Sequence, residues 1–313
     1  MMRIAIAGGG GLGYLLATQI SQAANAYNVV VLSRTSRSEY AQFDIQVQEV
    51  KYDNQDVLTY ALHGIDLVIS TVSGQEQLNL ISAAGHARVR LFVPSEFEGS
   101  LSHRPSRPSE TSRTLAALQQ VSRATRMRYT VFSCGLFMER FHPHGLTRFN
   151  IGSRSGVLGP GELFVNLGTG TAEYAPKDAR GKPVRVCLTS VYDLAKFIVA
   201  AIDHGPSQWP RELTLRGDRI SVEDLVKTCS YVANATLQHH ILDYDELQPL
   251  LNYYIQANNN ARALTYQQML DVADGRYDFS QASLNDLVRR SRGLDVQPMS
   301  FMQWFSGIWQ STS

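Results

Sequence analysis

The sequence predicts an α/β fold in which a doubly wound parallel sheet carries a smaller, mostly helical substrate lobe. Up to about residue 135, short apolar runs alternate with stretches of helical spacing, which is the pattern of consecutive βαβ units. Beyond that point the chain becomes irregular and rich in Gly, Pro and Arg, and its C-terminal part is again helical. The 313 residues suffice for one large core with a lobe attached to it.

The individual strands and helices follow from local composition. Residues 28–32 are continuously apolar, as expected of a strand buried on both faces, and Pro94 ends a similar run. Either Asp53 or Asn54 can cap the helix that follows them. The predicted strands cover residues 3–7, 28–32, 45–50, 66–70, 90–93 and 129–132, and the predicted helices cover residues 12–24, 55–62, 76–87 and 111–126.

The second half of the chain divides less regularly. Helical spacing returns at 191–204, and a further strand is predicted at 212–215. The segment before this helix resembles loops and antiparallel pieces, and the part from about residue 239 is helical. We therefore predict a sheet domain at 1–141, completed by about 185–235, and a substrate lobe made of 142–184 and 236–313.

Composition narrows the classes of partner. A net charge of +1 provides no long-range field for nucleic acid or anionic membranes, so we expect neither as a partner. No apolar stretch is long enough to span a bilayer. The cysteines are odd in number and far apart, which fits neither a disulfide framework nor a metal site: Cys134, Cys187 and Cys229. We expect a cytoplasmic monomer or homodimer that acts on a small molecule and holds no metal.

A glycine-rich turn joins the first strand to the first helix. Residues 8–13 read Gly-Gly-Gly-Gly-Leu-Gly and satisfy the Gly-x-Gly-x-x-Gly pattern in the strand–turn–helix context that it requires. Gly8 and Gly10 allow a tight turn and close approach to a pyrophosphate, and Gly13 lets the helix pack on the strand. The helix N-terminus offers N–H groups and a positive dipole end. We interpret the turn as a dinucleotide site, the alternative being a glycine-rich turn without a ligand.

The end of the second strand indicates which dinucleotide is bound. An NAD site usually carries an acid about 20 residues after the glycines. That place holds Ser33 and Arg34, with Arg37 close behind and no acid before Glu39. An arginine can pair with a 2′-phosphate that an acid would repel. The pattern predicts NADP(H), the alternative being two arginines that are only solvated.

Together with these features, residues 92–97, Phe-Val-Pro-Ser-Glu-Phe, resemble the NmrA-like and isoflavone-reductase-like family of atypical short-chain dehydrogenases. Supporting matches lie at 71–73, 135–137 and 191–195, and the likeness is greatest to fungal members that serve secondary metabolism. The resemblance implies a Rossmann domain that binds NADP(H).

The resemblance also implies roles for individual residues. Those implied for the cofactor are Gly8, Gly10, Gly11, Leu12 and Gly13 at the pyrophosphate, Ser33, Arg34 and Arg37 at the 2′-phosphate, Asp53 near the adenine, Thr71, Val72 and Ser73 at the ribose and nicotinamide side, and Pro94, Ser95 and Glu96 beside the nicotinamide. Those expected to line the substrate are Phe97, Cys134, Gly135, Leu136 and Phe137, to which we add Tyr174 as a candidate for an aromatic pocket, its alternative being a core position.

The chain departs from the family at the catalytic lysine of the reductases. It has no lysine between Lys51 and Lys177, and Arg113 is the replacement by position. An arginine stays protonated, so Arg113 can donate hydrogen bonds but cannot transfer a proton. Glu96 is the second catalytic candidate, because a carboxyl group in an apolar pocket can have a raised pKa and act as an acid.

The remaining sequence patterns do not indicate a catalytic or metal site. Tyr192 and Lys196 match the Tyr-x-x-x-Lys of ordinary short-chain dehydrogenases but come too late in the chain, so we predict that they are not catalytic. His142 and His144 lack a third metal ligand at useful spacing, and we expect a structural role. The remaining acid candidates are expected mostly in ion pairs: Glu98, Glu110 and Glu139.

Three functions are compatible with the sequence. The first is an NADPH-dependent reductase that acts on a C=N, C=O or C=C bond of an aromatic or alkaloid-like molecule in secondary metabolism. The second is a non-redox enzyme that binds NADP(H) and uses an acid such as Glu96 for condensation or iminium cyclisation. The third is an NADP(H)-sensing regulator without turnover.

Overall fold

The central strands of the main sheet are short, mainly apolar and buried on both faces. The computed structural model describes residues 1–104, 109–152, 163–291 and 296–312. The strands of this sheet are β1 (Arg3–Ala7), β2 (Asn28–Ser33), β3 (Gln46–Glu49), β4 (Leu67–Ser70), β5 (Leu91–Val93) and β6 (Arg128–Tyr129). They lie in the order β3-β2-β1-β4-β5-β6, and all neighbours are parallel. This order confirms the predicted doubly wound sheet.

Helices cover both faces of the sheet. The first four are α1 (Leu12–Ser21), α2 (Gln55–Ala61), α3 (Gly74–His86) and α4 (Glu110–Ala124). Alternate residues of β1 enter different cores: Ile4 and Ile6 pack with α1, whereas Ala5 and Ala7 pack with α2, α3 and α4. The helix α5 (Val191–His204), predicted with the same bounds, completes the layer beside α1. Two-sided burial explains why the strands β1, β2, β4 and β5 are mainly apolar, whereas the edge strand β3 is polar and partly exposed.

The strand predicted at 129–132 is wrong in one respect, because the chain changes partner within it. β6 pairs with β5, and Val131 instead begins a separate strand, β7 (Val131–Ser133), beside the later strand Glu212–Thr214. The register sets Tyr129 opposite Phe92, so Val131 would face Pro94, which has no N–H to donate. Val131 N–H donates to Arg211 O at 2.9 Å instead.

A third apolar core lies in the lobe. The remaining strands are β8 (Leu136–Phe137), β9 (Phe164–Asn166), β10 (Thr171–Tyr174), β11 (Arg185–Thr189), β12 (Glu212–Thr214), β13 (Asp218–Ser221) and β14 (Gln238–Ile241). The remaining helices are α6 (Val222–Ala233), α7 (Tyr244–Gln256), α8 (Asn260–Ala273), α9 (Ser283–Arg290) and α10 (Phe301–Thr312). Of these, β12 belongs to the sheet domain and α9 lies beside β12, whereas the others surround the core of the lobe. β9 and β10 are antiparallel, as the irregular segment predicted. β14 corrects the expectation of helix from residue 239, because its residues pair with β10.

The described residues contain neither a disulfide nor a helix with the length and apolar character needed to cross a bilayer. All three cysteines are free and buried.

Glu139, shortly after β8, contacts the N-terminus of α5. The side chain is fully buried, and its carboxylate accepts from the Ser190 hydroxyl at 2.8 Å and from Val191 N–H at 3.1 Å, at the N-terminus of α5. Burial raises the pKa of Glu139 from the ordinary 4.5 to about 7, although the donated hydrogen bonds oppose the rise. Glu139 therefore holds α5 in place and lies behind the surface that a substrate could reach.

This raised pKa predicts a pH dependence of stability. The folded state favours protonated Glu139. The contribution of Glu139 to the free energy of unfolding is therefore fully present below about pH 4.5 and is lost as pH rises through about 7. We expect the unfolding free energy of the wild type, relative to that of Glu139→Gln, to fall between pH 5 and 8. Urea denaturation of both proteins across this range measures the difference, and a difference that does not change with pH would contradict the assignment.

Candidate functional site

The candidate site lies where the parallel strands end. The glycine turn follows β1, Ser33 and Arg34 end β2, residues 71–73 follow β4, and residues 94–97 follow β5. Strand order reverses between β1 and β4, which are neighbours in the sheet. Ligands of open α/β sheets bind outside the carboxyl ends of the strands at such a switch point.

The glycines of the turn have different surroundings. A Cβ on Gly13 would lie 1.9 Å from Gly8 O, and one on Gly8 would lie 2.3 Å from Thr71 Oγ1. These two glycines therefore let α1, β1 and the loop after β4 pack closely. A Cβ on Gly10 would have nothing within 4 Å, and Gly10 is exposed. Gly10 is thus the glycine of this turn that is exposed with open space beside it, and its role at a pyrophosphate stays a prediction.

Leu12 begins α1 and is buried in the sheet core. Gly11 is the N-cap of this helix and has no side chain with which to cap it. The first N–H groups of α1 are therefore suited to an anion.

The end of β2 carries cationic side chains. Ser33 is buried, and a Cβ on Gly9 would lie 3.0 Å from its hydroxyl. Arg34 is 60% exposed and pairs with Glu76 at 3.3 Å, and Arg37 pairs with Glu39 at 3.5 Å. Exposed ion pairs of this kind contribute only about 0–1 kcal/mol, so both arginines can exchange a carboxylate for a phosphate. Their role at a 2′-phosphate stays a prediction.

Asp53 is exposed in the turn before α2, beyond the end of β3. Of the two predicted caps, Asn54 is the one used, because its side chain accepts from Val57 N–H at 3.1 Å. Asp53 is thereby left at the surface, where its predicted place near the adenine remains untested.

The loop after β4 is fastened to the glycine turn. The Thr71 hydroxyl donates to Ala7 O at 2.9 Å, and Val72 and Ser73 follow it, half-buried, up to the start of α3. Glu110, from the beginning of α4, accepts from Gly74 N–H at the N-terminus of α3. Glu110 therefore caps a helix, a role that the sequence did not indicate.

Glu96 is held in a buried ion pair. It is 5% exposed, and its carboxylate accepts from Arg104 at 2.7 Å and from the Thr111 hydroxyl at 2.8 Å. Burial raises the pKa of Glu96 and the Arg104 charge opposes the rise. Buried Pro94 precedes Ser95, whose N–H donates to Gln77 at 2.6 Å. The geometry indicates that Glu96 and Ser95 hold the loop in shape, which the acid role proposed from the sequence did not include.

The same ion-pair cluster reaches the lobe. Both carboxylate oxygens of Glu98 accept from Nη2 of Arg276 at 2.7 Å, and Glu98 also lies 3.2 Å from Arg104. Arg276 also pairs with Asp271 of α8 at 2.6 Å. Glu98 therefore links the loop after β5 to the lobe. Sequence reasoning missed Arg104 and Arg276 because no motif contains them.

The residues predicted to line the substrate separate into two groups. Phe97 and Phe137 are half-buried at the sheet edge and pack on its core. Cys134 is fully buried, and a Cβ on Gly135 would lie 2.1 Å from Cys187 O. The N–H groups of Cys134 and Gly135 both donate to Glu98 O, at 2.9 and 3.2 Å. The structure therefore places Cys134 and Gly135 behind the surface, as support for the loop.

Leu136 and Tyr174 lie in the core of the lobe. Tyr174 is 3% exposed, and its hydroxyl lies 3.5 Å from His239 Nδ1 on the neighbouring strand. This corrects the expectation that Tyr174 lines a pocket, because its ring packs inside the lobe. The alternative noted from the sequence, a core position, is the one observed.

Arg113, the replacement for the family lysine, is exposed on α4. Its neighbour Thr114 is buried and accepts from Gln77 at 3.2 Å, so Thr114 is the residue of this turn that faces α3. Arg113 is therefore not held toward the loop that contains Glu96.

The remaining patterns have structural explanations. Tyr192 is 48% exposed on α5, and Lys196 lies 3.8 Å from Asp193, whose carboxylate accepts from Met299 N–H at 2.7 Å. His142 Nδ1 accepts from the backbone N–H of His144 at 3.0 Å. Within the described ranges, no three His, Cys, Asp or Glu residues come together as metal ligands.

The sheet order and the glycine turn at its switch point define a protein of the dinucleotide-binding Rossmann class. Within that class, residues 2–282 match the NmrA-like family, and the chain belongs to this family. The predicted family is thus confirmed.

Relatives of the chain carry oxidoreductase names. Oxidoreductase BOA1 of Botryotinia fuckeliana is 30% identical over 72% of this chain and 74% of its own length. Oxidoreductase swnN of Metarhizium robertsii is 23% identical over 97% of this chain and 98% of its own length. The enzyme class predicted from the sequence, an oxidoreductase, is the class named in both.

Solved structures share the fold. Triphenylmethane reductase of Citrobacter sp., complexed with NADP(H), has a TM-score of 0.69 at 16% identity and covers 98% of this chain and 99% of its own. Leucoanthocyanidin reductase of Vitis vinifera in ternary complex has a TM-score of 0.69 at 18% identity, with the same coverage of each chain.

The open space at Gly10 predicts a variant that folds but binds poorly. Gly10→Ala meets no protein atom, yet its methyl group enters the space assigned to the pyrophosphate. We expect an unchanged melting temperature and NADPH affinity lowered by about tenfold or more, equivalent to about 1.4 kcal/mol. Calorimetric titration measures this. Gly307→Ala, also without a neighbour within 4 Å, is the control; equal affinities of the two variants would refute the assignment of Gly10.

Arg34 provides a test of cofactor choice. Arg34→Gln removes a charge-assisted bond to a 2′-phosphate, so NADPH affinity should fall about 10- to 100-fold while NADH affinity stays constant. Arg90→Gln is the matched control, because Arg90 is an exposed arginine in an ion pair with Asp66 at 3.6 Å. If both cofactors lost affinity equally, Arg34 would not be the 2′-phosphate ligand.

Proposed function

We propose that the protein is an NADPH-dependent reductase that transfers hydride to a C=N, C=O or C=C bond of an aromatic or alkaloid-like small molecule. The observation that carries this proposal is the meeting of the open glycine turn, Arg34 and the loop after β5 at one sheet edge. The oxidoreductase relatives and the NADP(H)-bound structures of the same fold support it.

The residues present fit NADP(H). The N–H groups at Gly10–Leu12 would hold the pyrophosphate, Ser33, Arg34 and Arg37 would hold the 2′-phosphate, and the loop 94–97 would support the nicotinamide. When bound, the cofactor supplies the hydride. The protein supplies orientation and the exclusion of water, through a loop that is held by the buried Glu96–Arg104 ion pair and by the half-buried Glu98–Arg276 ion pair.

The surroundings of Glu96 favour one class of acceptor. Glu96 is bound to Arg104 and Thr111, Arg113 is exposed, and arginines do not release protons. A carbonyl acceptor would need a proton donor for the oxygen. An iminium carbon needs none, because hydride addition to C=N⁺ gives a neutral amine directly. We therefore propose a cationic C=N group as the preferred acceptor.

The substrate position follows from the two aromatic side chains at the sheet edge. Phe97 and Phe137 are half-buried and pack on the core, so part of each rigid apolar ring is left exposed. Such rings suit a flat aromatic substrate. Secondary metabolism is part of this proposal, supported by the likeness to fungal oxidoreductases.

Isotope transfer tests the reaction. Incubation with NADPH carrying deuterium at both C4 positions and an N-methyl-dihydroisoquinolinium cation should give one deuterium in each amine formed and one NADPH oxidised. Absorbance of the reduced nicotinamide and product mass measure both quantities. Acceptors with C=O and C=C bonds form the comparison panel, and Gly10→Ala is the control with impaired cofactor binding.

Two outcomes would contradict the reductase proposal. A product formed without NADPH oxidation would favour the non-redox condensation or cyclisation enzyme. Tight NADPH binding with no turnover of any panel member would favour the NADP(H)-sensing regulator.

A further inference from the structure

A distant segment of the chain packs directly on the glycine turn. A Cβ on Gly11 would lie 2.1 Å from Asn150 O and 3.1 Å from Phe149 O. The backbone of these two residues therefore touches the Cα atom of Gly11, at the start of α1. Since we assign the N-terminus of α1 to the pyrophosphate, this segment borders the same space.

The segment is a self-contained turn, which we call the 142–151 turn. Its residues Leu146–Phe149 form a 3-10 helix. Gly145 N–H donates to His142 O at 2.8 Å, and Ile151 N–H donates to Leu146 O at 3.3 Å. The Phe149 ring packs edge-on against the His142 ring at 5.2 Å.

The 142–151 turn is also anchored. Leu146 is 3% exposed, and Ile151 packs on the core of the sheet. Asn150 adopts a left-handed conformation with φ 52°, which directs the chain across Gly11. The contact with the glycine turn is therefore made by a folded unit with internal hydrogen bonds.

The 142–151 turn carries positive charge. Arg148 and Asn150 are exposed on it. Burial lowers the pKa of His142, and the neighbouring charges of His144 and Arg148 lower it further. The guanidinium group of Arg148 stays protonated at neutral pH. The glycine turn itself offers only neutral N–H groups to a doubly charged pyrophosphate.

We propose that the 142–151 turn forms the second wall of the dinucleotide site, with Arg148 and Asn150 as ligands of the NADP(H) pyrophosphate. A guanidinium group binds phosphate oxygens in bidentate fashion, and an amide donates one further hydrogen bond. The proposal rests on the proposed function, because it requires NADP(H) at the glycine turn.

Cofactor titration tests the proposal without a need for turnover. NADPH and NADH both contain the pyrophosphate, so Arg148→Gln should weaken both by about tenfold, whereas Arg34→Gln acts on NADPH alone. Asn150→Gly keeps the left-handed backbone accessible and removes the amide, and we expect a loss of about threefold for both cofactors. Arg148→Lys keeps the charge and should lose less than Arg148→Gln.

Arg180→Gln, an exposed arginine in the turn between β10 and β11, is the matched control and should bind both cofactors as the wild type does. Unchanged NADPH affinity in Arg148→Gln would overturn this proposal and leave the proposed function standing. A loss for NADPH alone would also overturn it, because it would assign Arg148 to the 2′-phosphate. If the wild type bound neither cofactor, the proposed function itself would fail.

Discussion

The close contact between Gly13 and Gly8 is the constraint on which the site depends. Any side chain at Gly13 would overlap the Gly8 carbonyl, which a Cβ would approach to 1.9 Å. This contact lets α1 begin at the carboxyl end of β1, and the Thr71 hydroxyl then ties the loop after β4 to the same turn. The result is that the glycine turn and the loop after β4 pack together at the switch point of the sheet, where Gly10 is left open to solvent.

A second constraint joins the loop after β5 to the lobe. The loop after β5 is held by Glu96 on one side and by Glu98 on the other, and Arg276 brings the lobe to the same loop. Removing one member of such an ion pair leaves an unpaired charge, so the carboxylates of Glu96 and Glu98 have a structural role. The lobe and the loop are thereby positioned together. The reaction that we propose for this edge would then depend on the bound cofactor and on an acceptor that needs no proton.

The strands and helices of the sheet domain were predictable because their signals are local. The helix Val191–His204 was predicted with its observed bounds, since Ser190 caps it and Gly205 ends it. The division of strand 129–132 was missed because it depends on Pro94, the residue that follows the neighbouring strand β5. The pairing of Glu98 with Arg276 joins positions 178 residues apart and leaves no local pattern. For the same reason the roles of Cys134 and Tyr174 required the packed structure, and the predicted domain limits stay predictions.

We propose that NADP(H) binds at the glycine turn and that its nicotinamide lies beside the loop 94–97, in which Glu96 is already paired with Arg104. A crystal structure with NADP⁺ tests this most directly. We expect the pyrophosphate to accept from the N–H groups of Gly10–Leu12 and the 2′-phosphate to lie within hydrogen-bond distance of Arg34. We also expect Glu96 to remain bound to Arg104. A cofactor bound elsewhere, or Glu96 released from Arg104 and directed at the nicotinamide C4, would contradict it.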